Sequence, residues 1–202
     1  MEGRFDSSRI EALSDGVFAI AITLLVLEIS LPAGASAHLA HAILREWPSY
    51  LAYVTSFLTI GAAWFIHHGI FRRMAHADFI VVRLNLLVLM VVAFLPFPTQ
   101  LLAAGVKTRE AERTAVLFYG FVLAAMLILL AVLCRYAADH PELLHPNATP
   151  ESLEALARQI SPGVGLYFSV FALGIAAPHV AAFGYLAVAI LAVLSPRVGA
   201  LG

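Results

Sequence analysis

Long apolar runs, enough for six membrane crossings, limit this chain more sharply than any other feature of its sequence. A spanning helix needs about 20 mostly apolar residues, and inside lipid its backbone polar groups must all be satisfied within the segment. The runs 10–31, 48–71, 79–102 and 114–136 meet that need. The last run, 163–194, is too long for one span, and a break at Pro178-His179 divides it into 162–177 and 179–195. The sequence therefore predicts an all-α integral membrane protein, six transmembrane helices in a single domain over 1–202. The first run is too long for a signal-peptide core and lacks a small-residue cleavage site, so it is read as a span.

Composition agrees. Hydrophobic residues make up 61% and charged residues 12%, against about 45–50% and 25% in a soluble domain. Only lipid can act as solvent for so much apolar surface. A net charge of −1 argues against a nucleic-acid partner. The lone Cys134 permits neither an internal disulfide nor a cysteine metal cluster.

Details refine the plan. Trp47, Tyr50 and Tyr53 suit an interfacial belt at the start of the second span. Pro96 and Pro98 fall in the last turns of the third. Between the fourth and fifth spans, 139–161 is polar. There Thr149 could cap a short helix with Pro150 at its first position, and Leu153, Leu156 and Ile160 would share one face that could rest on the membrane surface or on the protein. With the N-terminus inside, the cytoplasmic side collects Arg4, Arg9, Arg72, Arg73, Arg83, Arg135, Arg158 and Arg197. The other side keeps Arg45, Lys107, Arg109 and Arg113, so the bias favours both termini in the cytoplasm.

The first span is the informative one. It reads from Arg9 through Glu11, Leu13, Ser14, Asp15 and Gly16 into an aliphatic core that ends at Glu28. Asp15 could simply sit in the first turns, stabilised by the helix dipole, with Arg9 among lipid headgroups. Ile20, Thr23, Leu24 and Leu27 follow the i, i+3, i+4, i+7 pattern of one stripe, which Gly16 continues a turn earlier. Such a stripe can face lipid or pack on another helix. Repeated around an axis by several subunits, it can instead form a narrow pore that gates by dewetting. Spacing does not decide between these.

Trp64, His67, His68 and Phe71 repeat the same spacing at the end of the second span. Adjacent histidines point about 100° apart on a helix, and no carboxylate lies one turn away, so a metal site is poorly supported. The rings could rest at the cytoplasmic interface, or one His could meet Asp15 or Arg9 at the same membrane level. No catalytic motif is present.

Arg9-x-x-x-Leu13-Ser14-Asp15-Gly16, with the aliphatic run that follows, resembles the signature first helix of the endolysosomal potassium channel family called transmembrane protein 175, its bacterial homologues above all. Leu13 stands where Phe is usual. Trp64-x-x-His67-His68 and Leu95-Pro96-Phe97-Pro98-Thr99 add to the resemblance.

The resemblance implies a homotetramer in the bacterial inner membrane, with the first helix lining a central pore that passes K+ in preference to Na+. Carried over, Ile20 would be the narrowest ring, Thr23 would add hydroxyls beyond it, and Leu24 and Leu27 would continue the lining. Arg9, Ser14 and Asp15, with Trp64 and a His of the pair His67-His68, would form a polar network that holds the first helix. No cofactor is implied; the partners are the bilayer, monovalent cations and further copies of the chain. The absence of Thr-Val-Gly-Tyr-Gly agrees with a channel that lacks the carbonyl-lined filter. The alternatives are a small proton-coupled secondary transporter or exporter, with Asp15 and the histidines as a relay, and a non-conducting membrane scaffold.

Overall fold

The structure, a computed structural model, describes residues 5–30 and 38–194. The expected ends at 31 and 195, the residues Arg4 and Arg197, and the Ile160 side chain lie outside the described residues. The fold is a helical bundle with one short ribbon. Helix α1, Ser7–Leu24, continues as a 3₁₀ turn, Leu25–Glu28. Then come α2, Leu39–Arg45, and α3, Trp47–Phe71. Two further helices, α4, Phe79–Phe94, and α5, Pro96–Val106, precede the long α6, Arg109–Asp139. The chain closes with α7, Pro150–Ala176, and α8, Pro178–Leu194. Among the described residues, five spans are long and apolar enough to cross a membrane, α4 and α5 together forming one of them. At 17 residues α8 is shorter than these.

Two expectations need correction, and one element is new. The third run is not one unbroken helix: its hydrogen-bond ladder is interrupted at Leu95, because Pro96 and Pro98 bring no N–H to it. The polar segment 139–161 does not hold a separate surface helix. From Pro150, with Thr149 as the N-cap residue, α7 runs unbroken through Pro162 to Ala176. Leu153 and Leu156 are buried against Met74 and Leu144, while Glu154 and Arg158 stay in the open. The short α2 after the first span was not apparent in the sequence pattern.

One end of the bundle is tied together by its loops. Asp6 caps α1, accepting from the Ser8 N–H at 2.9 Å. Phe5–Asp6 (β1) pairs antiparallel with His76–Ala77 (β2) in register Phe5↔Ala77. The Ser7 hydroxyl donates to the Met74 carbonyl at 2.6 Å. On the other side of that loop, the His145 N–H donates to the Arg73 carbonyl at 2.9 Å. Asp78 caps α4 through the Val81 N–H at 2.8 Å and accepts from the Tyr136 hydroxyl at 2.6 Å. Burial opposes ionisation of Asp78, but the bonds from Tyr136, Val81 and Ile80 outweigh it and leave its carboxyl below the ordinary range.

Inside the bundle, α6 packs on α5 and α7, and α3 packs on α1, α5 and α8. Several polar side chains in the core are bonded across helices, which offsets their cost in lipid. Ser56 of α3 meets the Thr99 hydroxyl at 2.7 Å and the Tyr119 hydroxyl at 2.9 Å; Thr59 meets Tyr167 at 3.1 Å. Gly120 lets α8 come close: a Cβ there would run into the Tyr185 hydroxyl.

Candidate functional site: the anchored first helix

Helix α1 has two unlike faces. Ser14, Phe18, Ala21 and Leu25, spaced at i, i+4, i+7 and i+11, are buried against α3 and α4. Opposite them, Leu13, Gly16, Ile20, Thr23, Leu24 and Leu27 are exposed. Ile20 keeps 60% of its surface open and Leu27 71%. The stripe singled out in the sequence is therefore the face that this chain leaves uncovered. The Thr23 hydroxyl donates to the Ile20 carbonyl at 2.9 Å. Its proton is occupied by its own helix, and its lone pairs remain available on the open side.

The rotation of α1 is set by polar contacts near its start. Trp64 Nε1–H donates to Asp15 Oδ1 at 2.7 Å. One turn away, His68 Nδ1 lies 2.7 Å from Glu11 Oε1, and the Trp64 and His68 rings stack at 5.4 Å. The two helices run antiparallel, so an i, i+4 pair on α1 meets an i, i+4 pair on α3. A second link lies deeper. Asn85 of α4, 1% exposed, donates its amide N–H to Ser14 Oγ at 3.0 Å, and Ser14 in turn donates to the Ile10 carbonyl at 2.8 Å. His67 Nε2 lies 2.7 Å from Asn85 Oδ1. That oxygen can only accept, so Nε2 carries the proton. The His67 ring also stacks on Phe71 at 4.5 Å.

Of the residues singled out in the sequence, the structure thus brings together Ser14, Asp15, Trp64, His67 and His68. The two histidines go to different partners, as their angular separation requires. It does not bring in Arg9, which is exposed beyond the ladder. Together with His76, Arg9 adds a small electrostatic pull on Asp6, whose carboxyl two bonds from Ser8 already hold below its usual range. Two participants escaped the sequence reading. Asn85 is an amide inside the apolar run 79–94, which was a readable signal. Glu11 becomes significant only once His68 is known to lie beside it.

At the far end of the bundle a separate pair pins α3 to α5. Lys107 Nζ donates to the buried Glu46 at 2.6 Å, and the Ser49 hydroxyl donates to the same oxygen at 2.9 Å. The Lys107 bond, against the cost of burial, holds the Glu46 carboxyl below its ordinary range. Among the described residues, no group of three His, Cys, Asp or Glu side chains is placed to hold a metal.

These features define a multi-pass helical membrane protein whose first helix is locked on one face and bare on the other. Comparison with known proteins gives the family. The model of the family described as endosomal/lysosomal potassium channel TMEM175 matches residues 9–96. A potassium channel of Streptomyces collinus is 41% identical over 188 residues, covering 89% of this chain and 91% of that protein. The crystal structure of a lysosomal potassium-selective channel TMEM175 homologue from Chamaesiphon minutus superposes with a TM-score of 0.82 at 39% identity, covering 93% of this chain and 96% of that one. The chicken endosomal/lysosomal proton channel TMEM175 is 34% identical over 150 residues, 70% of this chain but only 29% of that larger protein. The chain belongs to the TMEM175 family, a family of ion channels and not of enzymes.

Proposed function

We propose that this chain forms a homotetrameric, potassium-selective channel with α1 at the axis. The observation that carries the reading is the bare stripe on α1, opposite a face held by Asp15, Trp64, Ser14 and Asn85. Closed rotational symmetry supplies the missing cover, because the same stripe from each copy can surround one axis. The relatives named potassium channels in Streptomyces collinus and Chamaesiphon minutus support the choice of ion.

In this reading Ile20 forms the narrowest ring, about 7–8 Å along the axis from Asp15 at 1.5 Å per residue. Thr23 offers hydroxyl lone pairs just beyond, and Leu24 and Leu27 extend the lining. No ring of backbone carbonyls replaces the ion's water. An aliphatic constriction then favours the cation that sheds water at lower cost, and potassium holds its water less tightly than sodium. Asp15, Ser14, Trp64, His67 and His68, with Asn85 and Glu11, are structural: they hold α1 in rotation. All six apolar segments cross the bacterial inner membrane, α8 as the shortest span. Both termini are cytoplasmic, because the end that gathers Arg9, Arg72, Arg73, Arg83, Arg135 and Arg158 is the positive-inside end.

A second reading, a proton pathway or proton-coupled transporter, is favoured by the titratable ladder Glu11, His68 and Asp15, and by the relatives named proton channels. Purified full-length chain in liposomes tests both. Potassium current without a coupled substrate, exceeding sodium current, supports the channel. Proton flux with no potassium current supports the second reading and overturns the first.

A further inference from the structure

Between α6 and α7, with Ile66 of α3 also in its wall, lies a crevice of about 370 Å³. Its lining changes along the helices. Leu127, Leu130 and Val164 make one end apolar, while Arg135, Asp139 and Glu154 make the other end charged. Leu127 to Asp139 covers about 18 Å at 1.5 Å per residue, and one leaflet's share of the hydrocarbon layer is about 15 Å. The gradient therefore matches a single leaflet, apolar at mid-membrane and charged at the headgroups.

Water suits only the charged end, since buried water needs several polar partners. The one thiol in the wall is already used: Cys134 donates to the Leu153 carbonyl at 3.6 Å. The charged end carries both signs: Arg135 pairs with Asp139 at 3.7 Å, and Glu154 of the lining pairs at 3.3 Å with Arg158, one residue beyond the lining Ala157. Pairs so exposed are weak and open readily to a competing ion.

We propose that this crevice holds one acyl chain of a membrane phospholipid with a zwitterionic phosphoethanolamine headgroup. The phosphate lies against Arg135 and Arg158, and the ammonium against Asp139 and Glu154. The lipid comes from the leaflet at the end where α6 finishes and α7 begins. This inference requires only that the chain sit in a bilayer; a protein that failed to conduct would leave it intact.

The test uses the full chain in vesicles of phosphatidylethanolamine and phosphatidylglycerol. A trace of phosphatidylethanolamine carries a photoreactive diazirine near its chain end, and the adducts are mapped by peptide mass. Adducts should concentrate on Leu127, Leu130 and Val164, above the level at Phe121 and Val180, which face outward elsewhere. Ala131→Trp and Ala157→Trp fill the crevice from opposite walls, both at exposed positions. Each should lower the crevice adducts severalfold and leave the Phe121 adducts unchanged, the latter reporting correct insertion. A phosphatidylglycerol probe of the same chain should label the crevice severalfold less. Even labelling of all outward faces, labelling unmoved by both substitutions, or equal labelling by phosphatidylglycerol would each overturn the proposal.

Discussion

Trp64 gives its indole N–H to Asp15 at 2.7 Å, one turn from the point where His68 approaches Glu11 at 2.7 Å. A single contact between two antiparallel helices permits rotation about it. Two contacts with matched four-residue spacing do not. The ladder thus turns Ile20 and Leu27 away from the subunit core.

Asp15→Ala leaves the Trp64 N–H without its acceptor, at a cost of roughly 1–3 kcal/mol. Thermal stability or oligomer yield in mild detergent should fall, and Asp15→Asn, which keeps an acceptor oxygen, should retain most of both. An Ala variant that assembled normally and lost only ion selectivity would show Asp15 to be part of the conduction path.

Asn85→Leu should be comparably costly, because it strands the His67 ring N–H at a site with no exposed surface. Pairing it with His67→Leu removes both polar partners. The double variant should lose less stability than the sum of the single variants in a thermal-unfolding cycle; simple additivity would count against the bond.

The Tyr185 hydroxyl is buried without a hydrogen-bond partner and occupies the space that a Cβ at position 120 would need. Tyr185→Phe should be neutral or slightly stabilising, since an unpaired buried hydroxyl carries a desolvation cost. Gly120→Ala should destabilise by about 1–3 kcal/mol through overpacking. Combining the two should recover part of that loss, as measured by melting temperature.

Glu46 titrates below its ordinary value of 4.5 because of Lys107. A carboxyl depressed on folding adds stability that is complete above the unfolded pKa and is lost as pH falls through the folded one. Wild type should therefore exceed Glu46→Gln in melting temperature by a constant margin near neutrality. Below pH 4.5 the margin should shrink. A margin independent of pH would show that packing, not charge, accounts for it.

Ile20→Asn should wet the constriction and raise both fluxes, sodium proportionally more because its dehydration penalty is larger. Thr23→Val keeps volume but removes the lone pairs on the open face, so selectivity should fall without a wider pore. Reversal potentials under bi-ionic conditions separate the two effects. An unchanged ratio in a well-folded Ile20→Asn protein would show that α1 does not line the constriction.

The spans were legible because apolar length is a local property: the free energy of entering lipid accumulates residue by residue along 48–71 or 114–136 without reference to anything distant. In segment 150–161 the helix start at Thr149-Pro150 was readable, but not that the helix runs on through Pro162. Glu151, Glu154 and Arg158 make it look like a separate polar segment, and periodicity left the Leu153 and Leu156 face free to meet lipid or protein; the packing of both in one cluster with Met74 decides for protein. Pro96 and Pro98 signalled a disturbance, but not that the ladder would break at Leu95 between α4 and α5.

By itself, then, the sequence determined that this protein lives in a bilayer, that it is built of long apolar helices, and that its first helix carries a distinctive stripe. Tertiary structure alone decided which side of that helix is bare. Asp15 finds Trp64 across 49 positions, and Ser14 finds Asn85 across 71. Periodicity gives a helix its faces but not its neighbours. The choice of buried face follows from which polar groups can satisfy one another once α1, α3 and α4 pack, because in lipid each unpaired one carries a desolvation cost.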